Sequence, residues 1–300
     1  MKFNIVSHRT IFFALSGALV VLSFLAVPVL GLRLGIDFTG GSLLEVTTTQ
    51  TVDVESLRSS MRDQGYPALS IQSSGENTVL IRTESLTESE HQTLLVALGE
   101  NLDGLQEQRF DSIGPVIGQE LRRTAVTGVF ITLLLIGLYI AWSFRKVSEP
   151  IASWKYGILT IVAAFHDVII TVGVFVVFGA LFGWEMGAAF IAAILTILGY
   201  SINDTVVVFD RTRENLAKHI GNNFEETVER SIKQTLTRSF NTSFTTILAL
   251  LAIFLFGGES TRPFALALMI GIGVGTYSSI FLASPLLVSW EHWANRSEKQ

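Results

Sequence analysis

"AAILTILGYSINDTVVVFDR", residues 192–211, sets Asn203 and Asp204 inside a run otherwise apolar and long enough to cross a bilayer as a helix. An unpaired carboxylate at that depth costs about 2.5–3.5 kcal/mol on insertion scales, so a chain that carries one needs a compensating interaction or a function for it. The rest of the sequence supplies the setting. Of its 300 residues, 49% are hydrophobic and only 16% charged, against about a quarter charged in a soluble domain. Six stretches have the length and apolarity of spans: roughly 11–30, 124–143, 158–178, 187–209, 240–256 and 264–289. The first is too long for the apolar core of a cleavable leader and lacks a small-x-small site before "VPVLGLRLG", so it reads as a retained anchor.

Residues 31–123 have ordinary soluble composition, which gives one helix, one extramembrane domain, then five helices (124–289) with short connections and a tail, 290–300. Lys and Arg orient the chain. One side collects 13, from Lys2 and Arg9, Arg145, Lys146 and Lys155, six in 210–238, and Arg296 and Lys299; the short loops of the other side hold Arg262 alone. Both termini are expected in the cytoplasm and 31–123 outside. Within that domain, "SLLEVTTTQ", "ALSIQSS", "NTVLIRT" and "LQEQRFDSIG" have strand character. "DVESLRSSMRDQG" has helical spacing, and "TESEHQTLLVALGENL" opens with a Thr87–Glu90 capping box. The order β-α-β-β-α-β predicts a ferredoxin-like α+β sheet with both helices on one face.

The absence of cysteine removes disulfides, thiolate metal sites and cysteine nucleophiles. A net charge of -5 offers no basic surface for nucleic acid. No nucleotide-binding P-loop and no zinc-protease helix motif is present, so neither an enzyme nor a metal or organic cofactor is expected. "GIGVG", 271–275, lies inside the sixth span, where Gly271 and Gly275 at G-x-x-x-G spacing predict close helix packing.

Three consecutive spans carry a polar stripe. Thr160, Ala163, Asp167, Thr171 and Val174 align on the third, with His166 beside Asp167. Tyr200, Ser201 and Asn203 lie near Asp204 on the fourth, and Arg238 shares a face with Asn241, Thr242 and Thr245 on the fifth. Such stripes are expected to face one another inside a bundle, with Asp204 and Arg238 at similar depth. The connection between them, about 210–238, reads as an interfacial amphipathic helix. Two readings stay open: a register-fixing salt bridge, or a titratable pair in which Asp204 takes a proton from one side, loses its attraction to Arg238 and releases the proton to the other.

"GIDFTGG" (35–41), "SIGPVIGQELRRTA" (112–125), "HD" (166–167), "ILGYSINDTVVVFDRTREN" (197–215) and "TLTRSFNTS" (235–243) resemble the SecD/SecF family of bacterial protein-export membrane proteins, on its SecF side, within the resistance-nodulation-division superfamily. The resemblance implies half of a pseudo-symmetric bundle completed by SecD, in the bacterial cytoplasmic membrane. It implies association with the SecYEG channel and use of the proton-motive force to help an exported, unfolded polypeptide leave the lipid membrane, with protons as the coupling ion. Its proton-path residues would be Asp204 and Arg238, with Asp167 as a further member. Gly35, Asp37, Gly40 and Gly41 would form a hinge or brace, the glycines fitting a tight turn. A small-molecule efflux component and a non-conducting scaffold subunit are the competing readings.

Overall fold

A computed structural model of the chain describes residues 4–75, 77–145, 151–258 and 261–297. Lys2, Lys146, Lys299 and the Glu76 turn position fall outside them. The described chain divides into two compact units.

The smaller unit comprises residues 33–126 and 185–188. It begins with a single helical turn, α2 (Ile36–Thr39), then β1 (Gly41–Thr47), α3 (Val54–Asp63), β2 (Ser70–Ser73), β3 (Thr78–Thr83), α4 (Glu88–Gly99) and β4 (Gln106–Ile113). The four strands form one antiparallel sheet in the order β2-β3-β1-β4, the expected ferredoxin-like arrangement. Strand alternation explains why it folds. Leu44, Val46, Ile71, Val79 and Ile81 point to one face and are buried against Leu57 and Met61 of α3 and Leu94 and Leu98 of α4. Both helices therefore cover the same face. The capping box forms, with Thr87 N donating to Glu90 Oε2 at 2.7 Å and Glu90 N to Thr87 Oγ1 at 3.5 Å. Donation from Thr87 N and Thr87 Oγ1 to its Oε2 holds the Glu90 carboxyl below the usual value.

The larger unit comprises residues 1–32, 127–184 and 189–300. Among the described residues six helices are long and apolar enough to cross a membrane, at the six positions expected. They are α1 (Arg9–Leu30, preceded by a 3-10 turn Val6–His8), α5 (Pro115–Ser143), α6 (Ser153–Phe182), α7 (Ala188–Ala217), α8 (Phe224–Phe256) and a last one. That last one runs as α9 (Arg262–Ser278), a π segment (Ser279–Ala283) and α10 (Ser284–Ser297). Helix α5 starts nine residues before the expected span, because Pro115 is tolerated in a first turn and residues 115–123 are polar helix that a hydropathy reading passes over. Helices α6, α7 and α9 are the most buried. By contrast, α1 and α5 turn Val21, Leu22, Phe24, Phe130, Leu134 and Leu138 outward, as lipid-facing helices do.

The connection expected as a separate interfacial helix is instead the continued ends of α7 and α8. Ion pairs one turn apart, Lys218–Glu214 at the end of α7 and Arg230–Glu226 and Lys233–Glu229 within α8, suit these polar extensions to helix. The turn is forced by His219 (φ 53°) and Gly221 (φ 114°), and Asn223 restarts the chain by accepting from Glu226 N at 2.8 Å.

Candidate functional site: two buried carboxylates

Asp167 lies where α6, α7 and α9 meet and is 0% exposed. Close approach is possible because α9 presents glycine: a Cβ on Gly275 would stand 2.7 Å from Ser201 Cβ, and one on Gly271 would strike Ile197. The predicted small-residue packing is therefore present between α9 and α7. Around Asp167 the polar groups are matched. Its Oδ2 accepts from Ser201 Oγ at 2.5 Å and Ser278 Oγ at 2.8 Å, and its Oδ1 lies 2.9 Å from His166 Nδ1. A second layer follows directly, with Thr205 Oγ1 and Ser279 Oγ 2.7 Å apart at the start of the π segment. A π segment inside an α-helix is a frequent companion of functional sites. Of the expected stripe on α6, Thr160, Ala163 and Thr171 are buried with Asp167, and Val174 is half-buried.

Asp204, also buried, is treated differently. Its Oδ1 accepts from Ser239 Oγ of α8, while its Oδ2 is buried with no hydrogen-bond partner among the described residues. The Arg238 charge acts on it through space, yet the two form no ion pair. The salt bridge anticipated from depth alone is not made within this chain. The reason is rotational. Helix α8 turns Ser239, Ser243 and Leu250 inward, so the neighbouring face with Arg238, Asn241, Thr242 and Thr245 is exposed. That stripe does not face the other two, contrary to expectation. Asn203 is also exposed. Tyr200 Oη reaches Thr246 Oγ1 of α8 at 3.2 Å, and Ser201, read as a neighbour of Asp204, serves Asp167 instead. His166 Nε2 and Tyr156 Oη are buried without a hydrogen-bond partner among the described residues.

Sequence reading missed Ser239, Thr205, Ser278 and Ser279. The pair at 278–279 was a visible signal, two adjacent hydroxyls in the apolar sixth span. Ser239 sat beside Arg238 and was masked by the louder charge.

The "GIDFTGG" segment is held within the smaller unit. Gly40 (φ 74°) and Gly41 (φ 117°) need the left-handed region, and a Cβ on Gly41 would lie 2.7 Å from Thr83 O. Gly35 does not belong with them, since its φ of -70° suits any residue. It is small for contact, its missing Cβ standing 3.4 Å from Gly187 Cα, and its N–H donates to Met186 O at 2.9 Å. Asp37 Oδ2 accepts from Ala188 N, the first amide of α7, at 2.7 Å. Arg82 Nε pairs with Glu185 Oε1 at 2.9 Å. Burial pushes the Glu185 carboxyl above the usual range, against the pull of Arg82 and Arg33. The brace expected here is thus a clasp on residues 185–188. Among the described residues no three His, Asp or Glu side chains gather as a metal site.

Comparison with known proteins gives this arrangement a context. The profile of the family described as "Protein export membrane protein SecD/SecF, C-terminal" matches residues 95–293, and that of the "SecD/SecF GG Motif" matches residues 25–52. The protein translocase subunit SecF of Thermobaculum terrenum is 42% identical over 96% of this chain and 94% of its own length. The protein translocase subunit SecDF of Thermus thermophilus is 39% identical over 92% of this chain and 37% of its own. The crystal structure of SecDF from that organism superposes with a TM-score of 0.85 at 37% identity, covering 97% of this chain and 39% of that one. A crystal structure of SecDF in a super-membrane-facing form superposes at 0.69 and the same identity, covering 100% and 40%.

Proposed function

The chain belongs to the SecD/SecF family as a SecF, a multi-pass membrane subunit of the protein translocase, and from that premise we propose that it couples proton movement to protein export through Asp204. In this reading the chain pairs with SecD, acts beside the SecYEG channel, and uses the proton-motive force to help an unfolded polypeptide leave the cytoplasmic membrane on its outer side. Both termini lie in the cytoplasm, and no cofactor beyond the proton itself is used.

The observation that carries the proposal is the free oxygen of Asp204. A buried acceptor left unpaired costs about 1–3 kcal/mol, more if charged, and protonating Oδ2 relieves that cost without breaking the Ser239 bond. Once Asp204 is neutral, the attraction of Arg238 is lost, and α7 and α8 are free to shift against each other. Release of the proton to the cytoplasm restores the charge and the attraction. The exposed polar face of Arg238, Asn241, Thr242 and Asn203 supports pairing with SecD, because polar groups at membrane depth turn to protein or water and not to lipid. The fused SecDF of Thermus thermophilus, of which this chain matches 37%, points the same way. Asp167, with both oxygens occupied, holds α6, α7 and α9 in register so that Asp204 stays at a fixed depth.

The test is gradient-stimulated export in membrane vesicles carrying SecD with Asp204→Asn, which keeps shape and removes the titrating group. Normal membrane levels with lost response to the gradient are expected. Unchanged stimulation would leave the chain a scaffold.

A further inference from the structure

One end of the helical unit gathers the facing ends of α5 and α6, the α7–α8 turn, the start of α1 and α10, packed on a shared cluster that includes Phe144, Tyr156, Phe209, Val228 and Leu287. Apart from Arg296, in the last turn of α10, the described cations at this end fall into two kinds. Arg9, Arg211, Arg213, Lys218, Arg230 and Lys233 each have a carboxylate of this chain in ion-pair contact. Arg145 and Lys155 have none among the described residues. They lie on indole rings instead: Arg145 Cζ is 4.3 Å from the Trp142 ring centre, and Lys155 Nζ is 5.9 Å from that of Trp154 and 5.6 Å from that of Trp290. Trp154 and Trp290 meet edge to face at 5.5 Å. Trp142 and Trp154 are 60% and 50% exposed, at the ends of helices whose flanks are bare Leu, Ile and Phe.

We propose that this end of α5 and α6 is a binding site for the headgroup of an anionic phospholipid. Indole rings at helix ends seat at the level of the headgroups, and those here hold two cations that have no carboxylate in ion-pair contact among the described residues. A ring face attracts the cation but cannot neutralise it, so a phosphate beside the rings completes the charge balance. A zwitterionic headgroup offers no net charge for the purpose. Cations next to a membrane surface gain about 1 kcal/mol each from anionic lipid, which is roughly fivefold in affinity.

The experiment is native mass spectrometry of the full chain in detergent with equal amounts of phosphatidylglycerol and phosphatidylcholine. The wild type is expected to carry phosphatidylglycerol preferentially. Arg145→Gln with Lys155→Gln should cut that binding by tenfold or more and leave phosphatidylcholine alone. Lys218→Gln, which removes a cation already paired with Glu214, should change nothing, and Arg145→Lys with Lys155→Arg should keep the preference and so separate charge from misfolding. Equal retention of the two lipids by the wild type overturns the proposal. So does a Lys218→Gln effect as large as that of the glutamine pair, or loss of the preference in the charge-keeping pair. Inorganic phosphate that fails to displace the lipid identifies the headgroup in its membrane setting as the ligand; displacement by phosphate alone contradicts it.

Discussion

Asp167 and Asp204 are buried carboxylates on consecutive helices, each bonded by serine, and the chain has solved them in opposite ways. Around Asp167 three helices deliver Ser201, Ser278 and His166, so both oxygens are occupied. Around Asp204 one helix delivers one hydroxyl, and the second oxygen is left alone in a buried place. A saturated carboxylate resists change, because every displacement breaks a bond that nothing replaces. A half-satisfied one has something to gain from a proton. Burial alone, which is how both residues announce themselves in the sequence, does not separate a fastener from a moving part; the count of donors does.

The largest effect that could break this comparison is on stability. Asp167→Ala strips partners from Ser201, Ser278 and His166 and opens a void where three helices meet, and should cost about 3–5 kcal/mol. Asp204→Ala removes one hydrogen bond along with one unpaired acceptor, so its cost should stay within about 1 kcal/mol. Thermal unfolding in detergent reads both, and equal losses would show that the two sites are built alike. Next comes packing: Gly275→Val drives a side chain into Ser201 and should cost about 1–3 kcal/mol. It should also disturb the Asp167 network while leaving the Ser239–Asp204 contact in place, which cysteine cross-linking of α7 to α8 would report in this cysteine-free chain.

A smaller and sharper effect is expected from Ser239→Ala. It takes away the one donor to Asp204 without touching charge, so the pH dependence of gradient-driven export should move toward alkaline values while membrane levels hold. An unmoved profile would separate Asp204 from the titration. The smallest effect lies outside the spans. Because burial raises the native-state affinity of Glu185 for its proton above that of the unfolded chain, the clasp is most stable in acid and loses that contribution as pH rises through the window above the ordinary glutamate value of 4.5. Glu185→Gln should flatten this dependence. A clasp that strengthens with rising pH would reverse the sign and mean that the Arg82 ion pair dominates.

Much of this molecule was legible in its residues, for definite reasons. Period-two alternation in β1 and β3, the Thr87–Glu90 box and six apolar runs are local signals, and local signals located the strands, the cap and the spans. The rotation of α8 was not legible. Ser239 and Ser243 lie on a face next to that of Arg238, Asn241 and Thr242; both faces are polar, and which one meets α7 depends on the shapes of helices far away in sequence. The charged face drew the reading because an Asp–Arg pair is the stronger interaction in isolation. Contact of Gly35 and Asp37 with residues 186–188 was equally hidden, since a glycine chosen for closeness looks the same in sequence as one chosen for its backbone angle. The polar turn between α7 and α8 was read as a helix of its own because amphipathic periodicity does not reveal that two helices share it.

The claim that Asp204 takes up a proton while Asp167 does not is tested most directly by infrared difference spectra of the protonated carboxyl stretch, recorded across a pH titration of wild type, Asp204→Asn and Asp167→Asn. The account predicts a titrating carboxyl band that persists in Asp167→Asn and vanishes in Asp204→Asn. A band that survives in Asp204→Asn and disappears in Asp167→Asn would contradict it.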